Sequence, residues 1–417
     1  MSRRVLNINR TGGEPSNRAH RPYGCPVPLS PVHPPANRTI RPVLSRSGPA
    51  VSAPGVTGHT GWASFAGRVA TGVAECVDVL AEPERLATGT WFLVADFEAG
   101  SGSGRGRIRA WCFTQVHDAG PAPATAWHGP ARGTWTSSVD RAAYEAAVSQ
   151  VRAYVRNGDV YQANICRVLS APLAAPSGTG PGAEPDARAL AARLADGNPA
   201  PHAAAVHVPA ATGLDPVWVV SASPELYLSV RHEPGVGTVV ESGPIKGTAR
   251  TPGGLTDKDR AENVMITDLV RNDLQTVCRP GTVEVTSLLE VERHPGLVHL
   301  VSRVRGILSS DVSHSGDLWR RLLAGTFPPG SVSGAPKSSA LRIIGELEPV
   351  PRGPYCGAVG WVTDGEASLA VGIRTFWWAD GVLRFGTGAG ITWGSDPTAE
   401  WHETELKAER LVALASS

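Results

Sequence analysis

The apolar positions change period several times along the chain, and those changes outline its elements. Over residues 65–80 the apolar side chains are spread as on an amphipathic helix, and Trp91-Phe92-Leu93-Val94-Ala95-Asp96-Phe97 then reads as a strand. A Gly/Ser turn from Gly100 to Gly106 leads into a second strand over 108–116. Tyr144, Val148, Val151 and Val155 recur at spacings of four, three and four, which predicts a helix opened by Ser138 and stopped by Gly158. After a Pro/Gly/Ala loop over 171–185 come short β-branched runs, among them 217–221 and 226–230, that read as antiparallel strands.

Thr256 opens a helix that carries Asp259, Glu262, Asp268, Arg271, Asn272 and Asp273, with Val264, Leu269 and Val270 as its apolar surface. Strands resume at 282–285 and 298–304, and helices at 318–323 and 337–347. Two Asp-Gly turns, Asp364-Gly365 and Asp380-Gly381, join the strands of a meander. Asp396-Pro397 pairs a capping acceptor with proline at the first helical position, and the terminal helix runs to about Ala415. Many antiparallel strands interrupted by helices define an α+β fold class, large antiparallel sheets with surrounding helices.

Composition narrows the partners. With 39 basic and 38 acidic residues the formal charge is +1, so no long-range field points to nucleic acid or to an anionic membrane, and the expected partner is small. No apolar run approaches the roughly 20 residues of a membrane span, and Met1-Ser2-Arg3-Arg4 is not followed by a secretory segment, so the expected location is cytoplasmic. Six cysteines lie far apart without Cys-x-x-Cys spacing and are expected to be reduced and mostly buried. Residues 1–60 are rich in Pro, Arg, Ser and Gly without an apolar period; we expect disorder there, or a stretch preceding the true start.

Two carboxylate pairs carry candidate chemistry. Asp259 with Glu262, and Glu400 with Glu403, each stand at i and i+3 on a predicted helix and so share a face, with Lys407 continuing the second stripe. Either pair alone is most often a solvated helix face. Converging from two helices, the four would make an oxygen-rich site suited to Mg²⁺ together with an anionic substrate group. Gly388-Ala389-Gly390-Ile391 and Gly330-Ser331-Val332-Ser333-Gly334-Ala335-Pro336-Lys337 offer backbone amides to an anion, but neither has P-loop spacing, which disfavours nucleotide binding.

Gly158-Asp159-Val160-Tyr161-Gln162, Ser223-Pro224-Glu225, Pro244-Ile245-Lys246-Gly247-Thr248, Asp259-Arg260-Ala261-Glu262-Asn263, Asp268-Leu269-Val270-Arg271-Asn272-Asp273, Gly334-Ala335-Pro336-Lys337, Gly388-Ala389-Gly390-Ile391 and Glu400-Trp401-His402-Glu403-Thr404 follow one another in the order seen in the chorismate-utilising enzymes. The chain resembles that family over roughly residues 136 to 414. The resemblance implies a chorismate-binding catalytic domain over 136–417 and a short N-terminal part, 61–135, packing on it.

It implies roles as well. Glu262 and Glu403 match direct Mg²⁺ ligands, Asp259 and Glu400 the holders of its waters, and Glu225 the general acid that protonates the departing C4 hydroxyl. Tyr355, Arg374 and the Gly388 backbone match positions holding the enolpyruvyl carboxylate; Lys407, Ser331 and Thr248 match substrate-binding positions, and His299 a histidine near the leaving hydroxyl. Isochorismate-forming members carry lysine where this chain has Gln162, and anthranilate-forming members carry alanine where it has Lys246.

Lysine at that second position marks the aminodeoxychorismate-forming members, in which the amine forms a covalent adduct that ammonia displaces. Chorismate and ammonia are thus the expected substrates. Nothing in the chain resembles the Gly-x-Cys-x-Gly turn of a glutamine amidotransferase, so a separate amidotransferase subunit is the expected ammonia source. The rival expectations are an anthranilate-type or 2-amino-forming synthase and a non-catalytic chorismate-binding regulator.

Overall fold

Every strand pairing among the described residues is antiparallel, in keeping with the short strands and hairpin turns of the sequence. The computed structural model describes residues 61–102, 104–118, 126–174, 183–249, 251–294 and 297–417, with backbone alone at positions 248, 294 and 297. The disorder expected over 1–60 lies outside the described residues.

The chain opens with β1 (Trp62–Phe65), β2 (Arg68–Asp78), β3 (Thr90–Ala95) and β4 (Ile108–Asp118). The helix expected over 65–80 is therefore a hairpin. Ala66 and Gly67 take positive φ values of 46° and 91° and turn the chain so that Phe65 pairs with Arg68. Val69, Val73 and Val77 lie four residues apart, as on one face of a helix, but the strand shifts register between Val73 and Glu75 and the three pack into different clusters; the paired neighbours decide.

Next come β5 (Thr136–Ser137), α1 (Arg141–Asn157), β6 (Gln162–Pro172), α2 (Ala187–Gly197), β7 (His202–Val208), β8 (Val217–Ser223) and β9 (Leu226–Glu233). α1 begins two residues later than expected. Asp140 caps it, accepting from the Ala143 N–H at 2.8 Å, while Ser138 Oγ accepts from the Val168 N–H on β6. α2 has no counterpart among the predicted elements; its buried stripe of Ala187, Ala189, Leu190 and Leu194 offers weak apolar contrast in an alanine-rich stretch.

The rest of the chain forms β10 (Gly237–Gly243), β11 (Ile245–Ala249), α3 (Asp257–Gln275), β12 (Glu284–His294), β13 (Leu297–Ile307) and α4 (Ser310–Ser313). Then follow α5 (Leu318–Thr326), β14 (Gly334–Ala335), α6 (Lys337–Leu347), β15 (Ala358–Thr363), β16 (Glu366–Val371), β17 (Thr375–Ala379), β18 (Val382–Ile391) and α7 (Pro397–Ala415).

The strands form one ribbon, in lateral order β12, β13, β10, β9, β16, β15, β3, β4, β2, β1, β7, β8, β17, β18 and β6. β11 also pairs with β13, and β5 and β14 pair with β6. Through β1–β7 and β3–β15 the N-terminal strands are built into the same sheet as the later ones.

Helices cover opposite ends of the ribbon. Ile266, Val270 and Leu274 of α3 and Trp319, Leu322 and Leu323 of α5 share a buried cluster with Leu228, Val240 and Val304. Leu411 of α7 and Leu190 and Leu194 of α2 share another with Trp218, Phe376 and Phe385. Burying each such side chain stabilises the fold by about 1.5–3 kcal/mol, which fixes α3 over β11 and β13 and α7 over β18. Of the described cysteines, Cys166, Cys278 and Cys356 are buried and Cys76 and Cys112 half-buried, all with free thiols. Among the described residues no helix is long and apolar enough to cross a membrane.

Candidate active site

Two helix starts aim the carboxylates. At the first, Thr256 Oγ accepts from the Asp259 N–H at 3.1 Å, and Asp259 Oδ2 accepts from the Thr256 N–H at 2.8 Å and its hydroxyl at 2.7 Å. This reciprocal cap sets the first turn of α3 against β11. Gly247 makes the approach possible: its φ is +85°, and a Cβ there would stand 2.8 Å from the Asp259 Cβ. At the second start, Asp396 accepts from the Ala399 N–H at 2.9 Å, with Pro397 at the first helical position. Glu400, Glu403 and Lys407 then follow on one face of α7.

Glu225, just after β8, is 3% exposed. Burial is the largest influence on its carboxyl and pushes it up to about 7, although the Ser331 hydroxyl and the Ile245 N–H donate to it and the charges of Lys246 and Arg374 act the other way. It is a carboxyl that still holds its proton close to neutral pH. Lys246 stands beside it on β11. Burial lowers its ammonium pKa, Glu262, Glu225 and Glu403 oppose that, and Lys407 adds to it, leaving the amine below the usual lysine range.

Glu262 is raised by burial, with Lys246 and Lys258 pulling it down and Glu400 and Glu403 adding to the rise. Its Oε1 is buried without a hydrogen-bond partner. Lys258 Nζ lies 3.6 Å from that oxygen and 3.4 Å from Oε1 of the buried Glu400, so one ammonium sits between the carboxylates of α3 and α7. Glu403 pairs with Lys407 at 2.6 Å; burial opposes, but Lys407 and the more distant Lys246 and Lys258 hold its carboxyl below the usual range. Lys407 Nζ also donates to the Gly388 carbonyl at 3.0 Å.

The structure thus brings Glu225, Lys246, Ser331, Arg374, Glu262, Glu400, Glu403, Lys407 and Gly388 into one connected cluster. Arg374, between β16 and β17, has a left-handed φ of 53°, which non-glycine residues seldom adopt. Gln162 is fully buried, and neither its amide oxygen nor its nitrogen has a protein partner. Tyr355 belongs to the apolar core, with its phenol oxygen 3.9 Å from the Cys166 thiol and its ring against Gly386, where a Cβ would stand 2.0 Å from it. His299 is buried on β13, in register with Thr248 and Glu292. The Thr248 side chain lies outside the described residues.

Asp259 Oδ2 is committed to the helix cap. Among the described residues no three His, Cys, Asp or Glu side chains form a metal-holding group by themselves; ammonium groups are interleaved with them.

Sequence reading misses several members. Lys258 lies one turn before Glu262, a spacing that was there to find, but only the position of α7 brings Glu400 to it. Asn164 Oδ1 is buried without a partner, and it and the Gln162 Nε2 both lie where a Cβ on Gly390 would reach them, at 3.1 and 2.3 Å. Lys337 of the Gly-Ala-Pro-Lys block donates to Asp273 of α3 at 2.7 Å and to the Thr326 carbonyl at 2.9 Å. That ion pair ties two of the sequence blocks together.

The ribbon of antiparallel strands carries α3 and α7 at its ends, and the site holds a carboxyl that titrates near neutral pH beside a half-buried lysine. The sequence profile of the chorismate binding enzymes matches residues 103–413, and the chain belongs to that family. It is 35% identical over 292 residues to the anthranilate synthase component 1 of Saccharolobus solfataricus, an alignment covering 66% of this chain and 63% of that one. It is 35% identical over 296 residues to the aminodeoxychorismate synthase component 1 of Klebsiella aerogenes, covering 67% and 59%. The chain therefore spans less than two thirds of the length of either relative. Its fold matches the crystal structure of anthranilate synthase component I from Streptococcus pneumoniae with a TM-score of 0.64 and 22% identity, over 89% of this chain and 94% of that one.

Proposed function

We propose that the chain is the chorismate-converting component of an aminodeoxychorismate synthase: chorismate and ammonia give 4-amino-4-deoxychorismate and water. The observation that carries this reading is Lys246, an amine lowered by burial and set beside Glu225, a carboxyl that titrates near 7. Relatives bearing the anthranilate and the aminodeoxychorismate names match at the same identity, so identity does not separate them. What favours the aminodeoxychorismate reading is Lys246, since the family resemblance implies alanine at that position in anthranilate-forming members.

In this reading the neutral Lys246 Nζ attacks C2 of chorismate while the double bond shifts and the C4–O bond breaks. Glu225 gives its proton to the departing hydroxyl, which leaves as water. Ammonia then attacks C4, the double bond shifts back, and Lys246 leaves C2. The proton shed by the new amine returns the site to its starting state. Arg374 offers a bidentate partner to a substrate carboxylate, and Lys407 a point charge. Gln162 lacks the basicity to activate water, which fits amination rather than water addition.

The residues present fit a divalent cation: Glu262 has an orphaned buried oxygen, and Glu400 faces the same ammonium. Glu262 and Glu403 would hold Mg²⁺ directly, with Glu400 and Asp259 around its waters, and the cation would supply positive charge to the ring carboxylate of chorismate. Incubating the purified chain with chorismate, Mg²⁺ and ammonium and identifying the product by mass, and by its conversion with an aminodeoxychorismate lyase, tests the reading. Anthranilate as product would overturn it. We further propose that ammonia comes from a separate glutamine amidotransferase subunit, so the chain alone uses ammonium salts and leaves glutamine untouched.

A further inference from the structure

Lys258 is a half-exposed lysine beside the carboxylate cluster, and nothing in the proposed chemistry uses it. It reaches Glu262 from within its own helix and Glu400 from across the gap to α7, at 3.6 and 3.4 Å. The Glu262 oxygen that it faces is buried and accepts no hydrogen bond, so this ammonium joins Lys246 in compensating a desolvated charge. Glu403 of the same cluster has Lys407 as a partner of its own. The carboxylates on which two helices converge are thus held by a cation that the chain itself supplies.

We propose that Lys258 is a resident counter-cation of this carboxylate cluster, one that the divalent cation must displace to bind, so that its side chain sets the metal affinity. The inference rests on the assignment of Mg²⁺ to these residues. Two physical features make displacement feasible. The lysine head is half in solvent on a flexible stem, so it can move into water at little cost. A divalent ion outbids a single ammonium for converging carboxylates because it brings twice the charge and a fixed demand for oxygen ligands.

Partly exposed ion pairs of this kind each contribute about 0.2–1 kcal/mol. Removing two of them from the competition should tighten metal binding by roughly two- to thirtyfold. The test is calorimetric titration of Mg²⁺ into the full chain, with and without chorismate, for wild type, Lys258→Met and Lys258→Arg. Thermal melting of each protein in EDTA and in Mg²⁺ accompanies it, so that no readout depends on turnover.

Lys258→Met is expected to bind Mg²⁺ roughly two- to thirtyfold more tightly, to melt lower than wild type in EDTA, and to gain more from added Mg²⁺. Lys258→Arg keeps the competing charge and should stay close to wild type. Equal or weaker Mg²⁺ binding by Lys258→Met, in a protein that still melts cooperatively, overturns the proposal while leaving the metal assignment standing. Mg²⁺ binding by none of the three proteins removes the metal assignment and the role of Lys258 with it.

Discussion

Replacing Glu225 by glutamine separates the cost of holding this carboxyl from its use. The side chain is 3% exposed, and burial moves its titration from the ordinary 4.5 to about 7. Below pH 4.5 the carboxyl is protonated in both the folded and the unfolded chain, and glutamine is close to it in shape. Between 4.5 and 7 the unfolded chain has lost the proton that the folded chain keeps, so folding stability falls as pH rises. Above 7 both states are ionised and the loss is complete. At about 1.4 kcal/mol per pH unit, that interval amounts to about 3 kcal/mol. Glu225→Gln escapes this loss. Urea unfolding of both proteins from pH 4.5 to 8.5 should show two stability curves that separate as pH rises, with the variant gaining about 3 kcal/mol on wild type by pH 8. Any constant offset from altered hydrogen bonds to Ser331 and the Ile245 N–H cancels in that comparison. Parallel curves would refute the reasoning, because they would mean that Glu225 titrates alike in both states. The same variant should be unable to release the C4 hydroxyl, so a protein that gains stability on wild type as pH rises and lacks turnover is the expected combination.

Lys246→Ala should abolish 4-amino-4-deoxychorismate formation while chorismate still binds, and wild type held with chorismate in the absence of ammonia should show an adduct on Lys246 by intact mass and peptide mapping; amination at a comparable rate by the variant would make the lysine a bystander. Glu262→Gln and Glu403→Gln should each cut turnover by at least about a hundredfold with an unchanged circular dichroism spectrum, because Mg²⁺ tolerates the loss of a charged ligand poorly; near-normal rates at limiting Mg²⁺ count against the metal assignment. Gly386→Ala places a Cβ 2.0 Å from the Tyr355 ring and should lower stability by about 1–3 kcal/mol in urea unfolding. Ammonium salts should support product formation by the single chain where glutamine does not; glutamine-dependent product from the pure chain would refute a separate amidotransferase.

The sequence alone determined the local features whose signals sit within a few neighbours. Thr256 with Asp259, Asp396 with Pro397, and Gly158 at φ 86° mark helix ends that the structure reproduces, because a cap is satisfied inside one turn. The two Asp-Gly turns likewise place the hairpins of β15 with β16 and β17 with β18. The order of the short blocks was also enough to show the family. Where local and long-range preferences competed, the tertiary structure decided. Residues 65–80 have an apolar spacing that suits a helix, and β4 and β7, far along the chain, supply the partners that make them strands. The site shows the same division. The sequence puts Glu262 on one helix and Glu400 on another, but only the packing of α3 on β11 and of α7 on β18 brings both to Lys258. Nor does the sequence display the raised carboxyl of Glu225 or the lowered amine of Lys246, because both shifts come first from desolvation, and burial is a property of everything folded around a residue rather than of its neighbours in the chain.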